Sequence, residues 1–351
     1  MSDAFWRGRR VFLTGHTGFK GAWLSLWLQS LGAEVSGYAL EPPSDPSLFE
    51  LAAVARGMRS ILADVRDGRR LADELAAAAP EVVIHLAAQP LVRESYRNPA
   101  ATFAVNVMGT VNLLEAVRAC PGVRAVVNVT TDKCYENREW VWGYRENDRL
   151  GGADPYAASK SCSELAAAAW RASFFSDAAA PGIATARSGN VIGGGDWGAE
   201  RIIPDCIRAA TNGARVTLRN PGSTRPWQHV LEPLGGYLLL AERLCSDPAG
   251  FSGAWNFGPA AEDVWTVARL VQRFCDLWGE GLACDTAPGP HPHEATLLKL
   301  DCAKAGALLG WQPRWPLETA LAKVVEWTRA WRAGDDLAAR CRAQIGEYGA
   351  I

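Results

Sequence analysis

Several features that mark special classes of protein are missing from this chain. Nine cysteines stand singly at 120, 134, 162, 206, 245, 275, 284, 302 and 341, and no two are spaced Cys-x-x-Cys. An odd count without that spacing argues against a zinc site or a disulfide framework, and for scattered thiols in a reducing compartment. Neither sign of charge is in excess. With 36 Lys+Arg against 38 Asp+Glu, the formal net charge is −2, which gives no reason to expect nucleic acid or an anionic membrane as partner. The polar start, MSDAFWRGRR, has no secretory apolar region, and no apolar run reads as long enough to span a bilayer. A cytoplasmic protein is expected. His229, His291 and His293 have no carboxylate or cysteine at ligand spacing, so no metal is expected. There is no internal repeat.

What is present is an alternation of short apolar runs with helical patterns. Strands are expected at 10–14, 34–39, 59–63, 81–87, 125–130 and 182–186, mostly without polar alternation, as when both faces of a strand are covered. Helices are expected between them at 21–30, 68–79, 99–118 and 155–175. Right-handed crossovers then make an α/β fold, a doubly wound parallel Rossmann sheet. After Asn190 the texture changes to glycine-rich and Pro/Arg/Trp-rich loops, with helices at 202–211, 233–245, 266–278 and 317–331. This reads as a smaller, interleaved C-terminal α/β substrate domain. The sheet domain would take 1–189 with 226–258, and the second domain 190–225 with 259–351. Fifteen tryptophans are more than one small core needs; Trp197 and Trp227 are candidates to line a cleft.

Gly15-His16-Thr17-Gly18-Phe19-Lys20-Gly21 follows the first strand directly and opens the first helix. Three glycines at that period let backbone N–H groups and a helix N-terminus approach a pyrophosphate. The acidic residue that usually binds the adenosine ribose at the end of the second strand is absent. Ala39 stands there, after Tyr38, with Glu41 two residues on. No arginine offers itself to a 2′-phosphate either, so NAD is expected over NADP. Asp64-Val65 can flank an adenine, although a surface Asp at a strand end is equally consistent. Leu86-Ala87-Ala88 supplies small side chains beside a dinucleotide.

Tyr156 and Lys160 lie one helical turn apart behind Asp154 and Pro155, which read as N-cap and first helical residue. A neighbouring ammonium lowers a phenol's pKa and makes it a usable base. Between the two motifs an apolar strand stops abruptly in Thr130-Thr131-Asp132-Lys133. At the carboxyl edge of a parallel sheet, these groups face a ligand crevice; the plainer alternative is a polar surface loop.

These elements, with Asn106-Val-x-Gly-Thr110 and Asn190-Val191, resemble the extended short-chain dehydrogenase/reductase family over essentially the whole chain. Gly15–Gly21, Tyr38-Ala-Leu-Glu-Pro-Pro43, Pro46-Ser-Leu-Phe49 and Thr131-Asp-Lys133 resemble its NAD-dependent nucleotide-sugar dehydratases, the CDP-glucose 4,6-dehydratases most closely. The resemblance implies catalytic roles for Thr131, Asp132, Lys133, Tyr156 and Lys160. It implies NAD contacts at 15–21, Tyr38, Asp64, Val65, 86–88, Asn106, Thr130, Tyr156 and Lys160. Nucleotide-sugar contacts are implied at Gln89, Asn190, Arg201, Arg225 and Asn256; Arg208 reads as a solvated helix residue.

The implied reaction is redox-neutral: oxidation at C4, loss of water across C5 and C6, and hydride return to C6, giving CDP-4-dehydro-6-deoxy-glucose. Relatives place a glutamate where Lys133 stands, so Lys133 is either the C5 base or an electrostatic stabiliser. The family's helix pairing implies a homodimer or tetramer through 99–118 and 155–175. The alternatives are a nucleotide-sugar 4-epimerase or reductase and, from another class, a non-catalytic NAD-binding regulator. No residue by itself selects cytosine over another base.

Overall fold

The apolar runs become strands because helices cover them on both sides. A computed structural model describes residues 3–177, 179–199, 201–286 and 297–350. Seven strands form one sheet: β1 (Arg10–Thr14), β2 (Glu34–Ala39), β3 (Arg59–Leu62), β4 (Val82–His85), β5 (Ala125–Val129), β6 (Gly182–Ser188) and β7 (Gly253–Phe257). Their order is β7-β6-β5-β4-β1-β2-β3, all parallel. The central strands β4, β5 and β6 are buried along their whole length, whereas β3 at the edge is largely exposed. Strand order reverses between β1 and β4, which is where a doubly wound sheet opens a crevice.

Side chains alternate between two cores. Val82 and Ile84 join one face with Trp23, Trp27, Tyr237 and Trp255. Val83, Val126 and Ile183 join the other with Phe12 and Tyr38. A third core lies beyond the sheet, where helices Ile202–Thr211, Val267–Trp278 and Leu317–Ala333 enclose Val216, Leu218 and Trp227. The expected division of the chain at 259 does not follow this packing. Helix Leu337–Gly349 returns to helix Phe19–Ser30, with the Trp27 and Tyr348 rings 5.6 Å apart. Leu317–Ala333 serves both cores, giving Trp327 to the first and Leu321 and Val324 to the third.

The stretch Pro99–Arg118 runs as one helical path through a wider turn at Ala104–Met108. By length and composition it is apolar enough to cross a membrane, which corrects the expectation that no such run exists. Part of its surface packs on the neighbouring helices Gly68–Ala78 and Pro155–Phe174, while Phe103 and Met108 stay exposed. All nine cysteines are free thiols. Among the described residues no group of His, Cys, Asp and Glu is placed to hold a metal; His291 and His293 lie outside those residues.

Candidate active site

A cleft of about 2090 Å³ opens at the carboxyl edge of the sheet. Single-ligand pockets usually measure ~300–1,000 Å³, so this one has room for two nucleotide-sized molecules.

One end is built by the glycine turn. Gly15 sits at φ +77, and a Cβ there would lie 2.7 Å from the Ala87 nitrogen. A Cβ on Gly21 would lie 2.0 Å from the Gly15 carbonyl oxygen. Packing within the protein therefore explains these two glycines. Gly18 differs: its nearest neighbour to a built Cβ is 3.5 Å away, and it lines the cleft. Nothing in the chain requires that Gly18 lack a side chain, whereas a pyrophosphate lying on the backbone does. Gly18 caps helix Phe19–Ser30 without a side-chain hydrogen bond, and the first turn carries no acid. Its N–H groups are thus available to an anion. The turn fits a dinucleotide.

The adenosine side is shaped by the ends of β2 and β3. Ala39, Leu40, Glu41, Asp64 and Val65 line the cleft, and Thr17 Oγ1 donates to the Leu40 carbonyl at 2.8 Å. Asp64 accepts from Arg66 at 2.8, 2.9 and 2.6 Å, and those bonds lower its pKa against a smaller effect of burial. Two expected contacts are core residues instead. The Tyr38 side chain is fully buried and its hydroxyl donates to the Asp64 carbonyl at 2.9 Å. The His16 ring is buried beneath Gly37, with Nε2 2.7 Å from Ser60 Oγ. Burial drives its pKa down to about 4. Leu86, Ala87 and Ala88 do line the cleft, and Thr14 Oγ1 holds the 86 and 87 nitrogens at 3.1 Å.

At the centre, Thr130, Thr131, Asp132, Lys133, Tyr156 and Lys160 all line the cleft. Thr131, two residues beyond the end of β5, caps the turn Asp132–Cys134, its hydroxyl accepting from Lys133 N at 3.3 Å. Asp132 is 3% exposed and accepts from Thr131 Oγ1 at 3.1 Å. Burial raises its pKa, against the opposing pull of Lys133, Thr131, Arg225 and Lys20. The helix carrying Tyr156 begins as expected, with Asp154 accepting from Ala157 N and Pro155 first. Tyr156 runs opposite to the expected lowering. Burial pushes its phenol up to about 12, with a hydrogen bond to Thr131 pulling the other way. Lys160 is held down at about 8 by burial and donates to the Val129 carbonyl at 3.2 Å.

Lys20 reaches further than its place in the glycine turn implied. Its Nζ donates to Ser188 Oγ at 3.0 Å. Burial first, then Arg201 and Lys160, lower its pKa to about 7, with Asp132 and Asp196 acting in the other direction.

Beneath these groups lies an ion pair that the sequence reading missed. Glu164, one turn after Lys160, accepts from Arg187 at 2.9 and 2.8 Å, from Thr130 at 2.5 Å and from Thr185 at 2.6 Å. Arg187 also donates to the Tyr135 hydroxyl at 2.7 Å. The pair ties the Tyr156 helix to the strand ends bearing Thr130 and Thr131. Its only sequence signal is a Glu on the Lys160 face of the helix.

Of the expected substrate contacts, Asn190, Arg201 and Arg225 line the cleft. Arg201 is oriented by Asp196 at 3.1 Å to both oxygens, a partner also missed. Two others are turned inward. Asn256 is fully buried, accepting from Tyr135 and donating to the carbonyls of Tyr144 and Asp301 at 2.8, 2.8 and 3.0 Å. Gln89 is occupied by Leu91 and Thr102. Asn106, expected at the cofactor, clamps the Gln89 backbone and Ser159 instead.

A glycine cradle, a Tyr/Lys helix and an acid at the strand end between them now define one cleft. Residues 11–256 match the model of the NAD dependent epimerase/dehydratase family. The chain belongs to that family. It is 53% identical over 348 residues, 98% of this chain and 97% of the other, to the CDP-glucose 4,6-dehydratase of Salmonella typhimurium. It is 31% identical over 269 residues to the dTDP-glucose 4,6-dehydratase of Streptomyces antibioticus, covering 75% of this chain and 74% of that one. In fold it is similar to the UDP-glucose-4-epimerase of Stenotrophomonas maltophila, solved with bound NAD, at TM-score 0.82 and 23% identity, covering 93% and 99% of the two chains.

Proposed function

We propose that this protein is an NAD-dependent 4,6-dehydratase that converts CDP-glucose to CDP-4-dehydro-6-deoxy-glucose and water. The observation that carries the reading is Asp132, a buried carboxyl raised in pKa, beside Thr131 and Tyr156 in one cleft. Burial makes the Asp132 carboxyl a readier proton donor than a solvated one, and elimination of the C6 hydroxyl needs a donor. An epimerase has no use for it.

The roles follow from placement. NAD, when bound, supplies a reversible store for the hydride that leaves C4 and returns to C6. Tyr156, with Thr131 on the same hydroxyl, takes the C4–OH proton once the positive charge of bound NAD⁺ offsets the burial that holds its phenol high in the free protein. Lys160 orients the cofactor end and adds positive charge beside the phenol. Once C4 is a ketone, the C5 proton is acidic; Lys133, next to Asp132 in the cleft, removes it. Asp132 gives its proton to the departing C6 oxygen, which leaves as water. As the hydride returns to C6, protonated Lys133 gives a proton back to C5, and the proton gained by Tyr156 is exchanged through solvent to restore Asp132. Asn190, Arg201 and Arg225 hold the diphosphate, Arg225 by a fork that matches two phosphate oxygens.

The protein is further read as a cytoplasmic homodimer, or a dimer of dimers. Phe103 and Met108 on one helix, with Leu165 and Phe174 on another, are apolar and exposed in the single chain, as a helix-pairing face would be.

Incubation with NAD and C4-deuterated CDP-glucose tests the reaction. Dehydrated product carrying deuterium at C6 is expected by mass spectrometry; retention of the C6 oxygen refutes it. Lys133→Met should still reduce the cofactor transiently while C5 ceases to exchange with solvent. Exchange at the wild-type rate removes Lys133 as base.

A further inference from the structure

Beyond the diphosphate contacts, the cleft continues onto a wall made by the third core. Strand Val216–Leu218 turns Val216 and Leu218 inward and Thr217 outward. Thr217, Arg219 and Asp205 line the cleft there. A sugar reacting over Tyr156, with its diphosphate at Arg201 and Arg225, leaves its nucleoside this far end. The other end is closed off as its place by the dinucleotide cradle.

We infer that Asp205 and Arg219 are the residues that select a cytosine base. This rests on the CDP-sugar reading above and supplies what the residues alone did not. Arg208 donates to Asp205 Oδ1 at 2.5 Å and to the carbonyls of Trp197 and Gly198 at 3.3 Å each, which fixes the carboxylate's direction. The other oxygen, Oδ2, lies 4.0 Å from Arg219 Nη2. That spacing is too long for a hydrogen bond between them. It leaves an acceptor and a donor side by side, each about one-third exposed.

The pattern discriminates between pyrimidines. A carboxylate only accepts and a guanidinium only donates. Cytosine presents an exocyclic amine donor next to the acceptors N3 and O2, so N4–H meets Asp205 while N3 or O2 meets Arg219. Uracil and thymine present a carbonyl oxygen at position 4 and N–H at position 3. Their O4 would face the Asp205 oxygen, acceptor against acceptor, and their N3–H would face the arginine. A polar site rejects a ligand that leaves its groups unpaired far better than an apolar pocket rejects a size mismatch.

The test measures kcat/KM on CDP-, UDP- and dTDP-glucose for the wild type, Asp205→Asn and Arg219→Gln. CMP and UMP binding is followed by calorimetry, and thermal melts establish folding. The wild type should prefer CDP-glucose. Asp205→Asn, whose amide can donate to O4, should lose ~10-fold or more of the CDP-over-UDP ratio. The loss should fall in KM with kcat little changed, and the CMP-over-UMP binding ratio should fall in step. Arg219→Gln should weaken CMP by ~10-fold. Should Asp205→Asn not fold, Arg219→Gln and its CMP/UMP ratio decide alone. Folded variants that keep the wild-type ratios overturn the assignment and leave the CDP reading standing. A wild type that handles UDP- or dTDP-glucose as well as CDP-glucose overturns both.

Discussion

Replacing Gly18 with alanine separates the two reasons a glycine can occupy a turn. Gly18 has φ −78, where alanine is unstrained, and an added Cβ comes no closer than 3.5 Å to the protein. Alanine is a poorer helix cap than glycine by up to ~1 kcal/mol, but restricting the unfolded chain returns ~0.4–1 kcal/mol. The two nearly cancel, so the melting temperature should move by only a degree or two. Gly21→Ala is the contrasting variant. Its Cβ would lie 2.0 Å from the Gly15 oxygen and 2.7 Å from the His16 Cα, both backbone atoms that cannot swing aside. Overpacking of that kind costs ~1–3 kcal/mol or more, against ~1 kcal/mol gained in helix propensity, and should lower the melting point by several degrees. NAD binding by calorimetry should instead fall at least ~10-fold in Gly18→Ala, a loss of ~1.4 kcal/mol, because the new methyl occupies the surface where the pyrophosphate rests. A Gly18→Ala protein that melts normally and binds NAD as tightly as the wild type would refute the cradle.

Three further outcomes follow from the same geometry. Asp132→Asn should lower kcat by ~10²–10⁴-fold and yet melt higher at neutral pH. An acid whose folded-state pKa lies above its unfolded value costs stability once pH exceeds the unfolded value, and the amide escapes that cost; an unchanged or lower melting point counts against a strained acid. Glu164→Gln leaves Arg187 buried without its counter-charge and should cost ~3–5 kcal/mol, roughly 4–7 °C in melting temperature for a chain of this length. Burial alone would raise the Glu164 pKa, but donors from Arg187, Thr130 and Thr185 outweigh it and hold it low. Its contribution is therefore complete above the ordinary glutamate pKa of ~4.3 and disappears as pH falls through the lower folded value, so denaturant titrations should find the wild type losing stability in acid more steeply than the variant. Light scattering should report a dimer or tetramer, and Met108→Glu with Leu165→Glu should return it to monomer.

Much of the scaffold is legible in the sequence, because parallel strands covered on both faces must be continuously apolar. The ends of β1 and β2 match residue for residue, and Asp154-Pro155 marks the start of the Tyr156 helix by cap chemistry alone. The glycine turn and the strand-end triplet were also legible, since both chemistries depend on residues close in sequence. The inward-facing polar residues were not. Gln89, Asn106 and Asn256 sit at positions that invite ligand contacts, yet their amides are used to hold loops together. Tyr38 and His16 lie beside the cofactor motif but belong to the core.

The chain's own order thus determined the sheet, the cofactor cradle and the Thr131-Asp132-Lys133 triplet, because each is written in contiguous residues and their spacing. Only tertiary structure decided which charges meet. The Glu164–Arg187 pair spans 23 residues and the strand ends, Lys20 meets Ser188 across 168 residues, and Asp205 stands beside Arg219. Side-chain direction and burial set those encounters, and with them the pKa of Asp132. Neither is encoded in any local window of sequence.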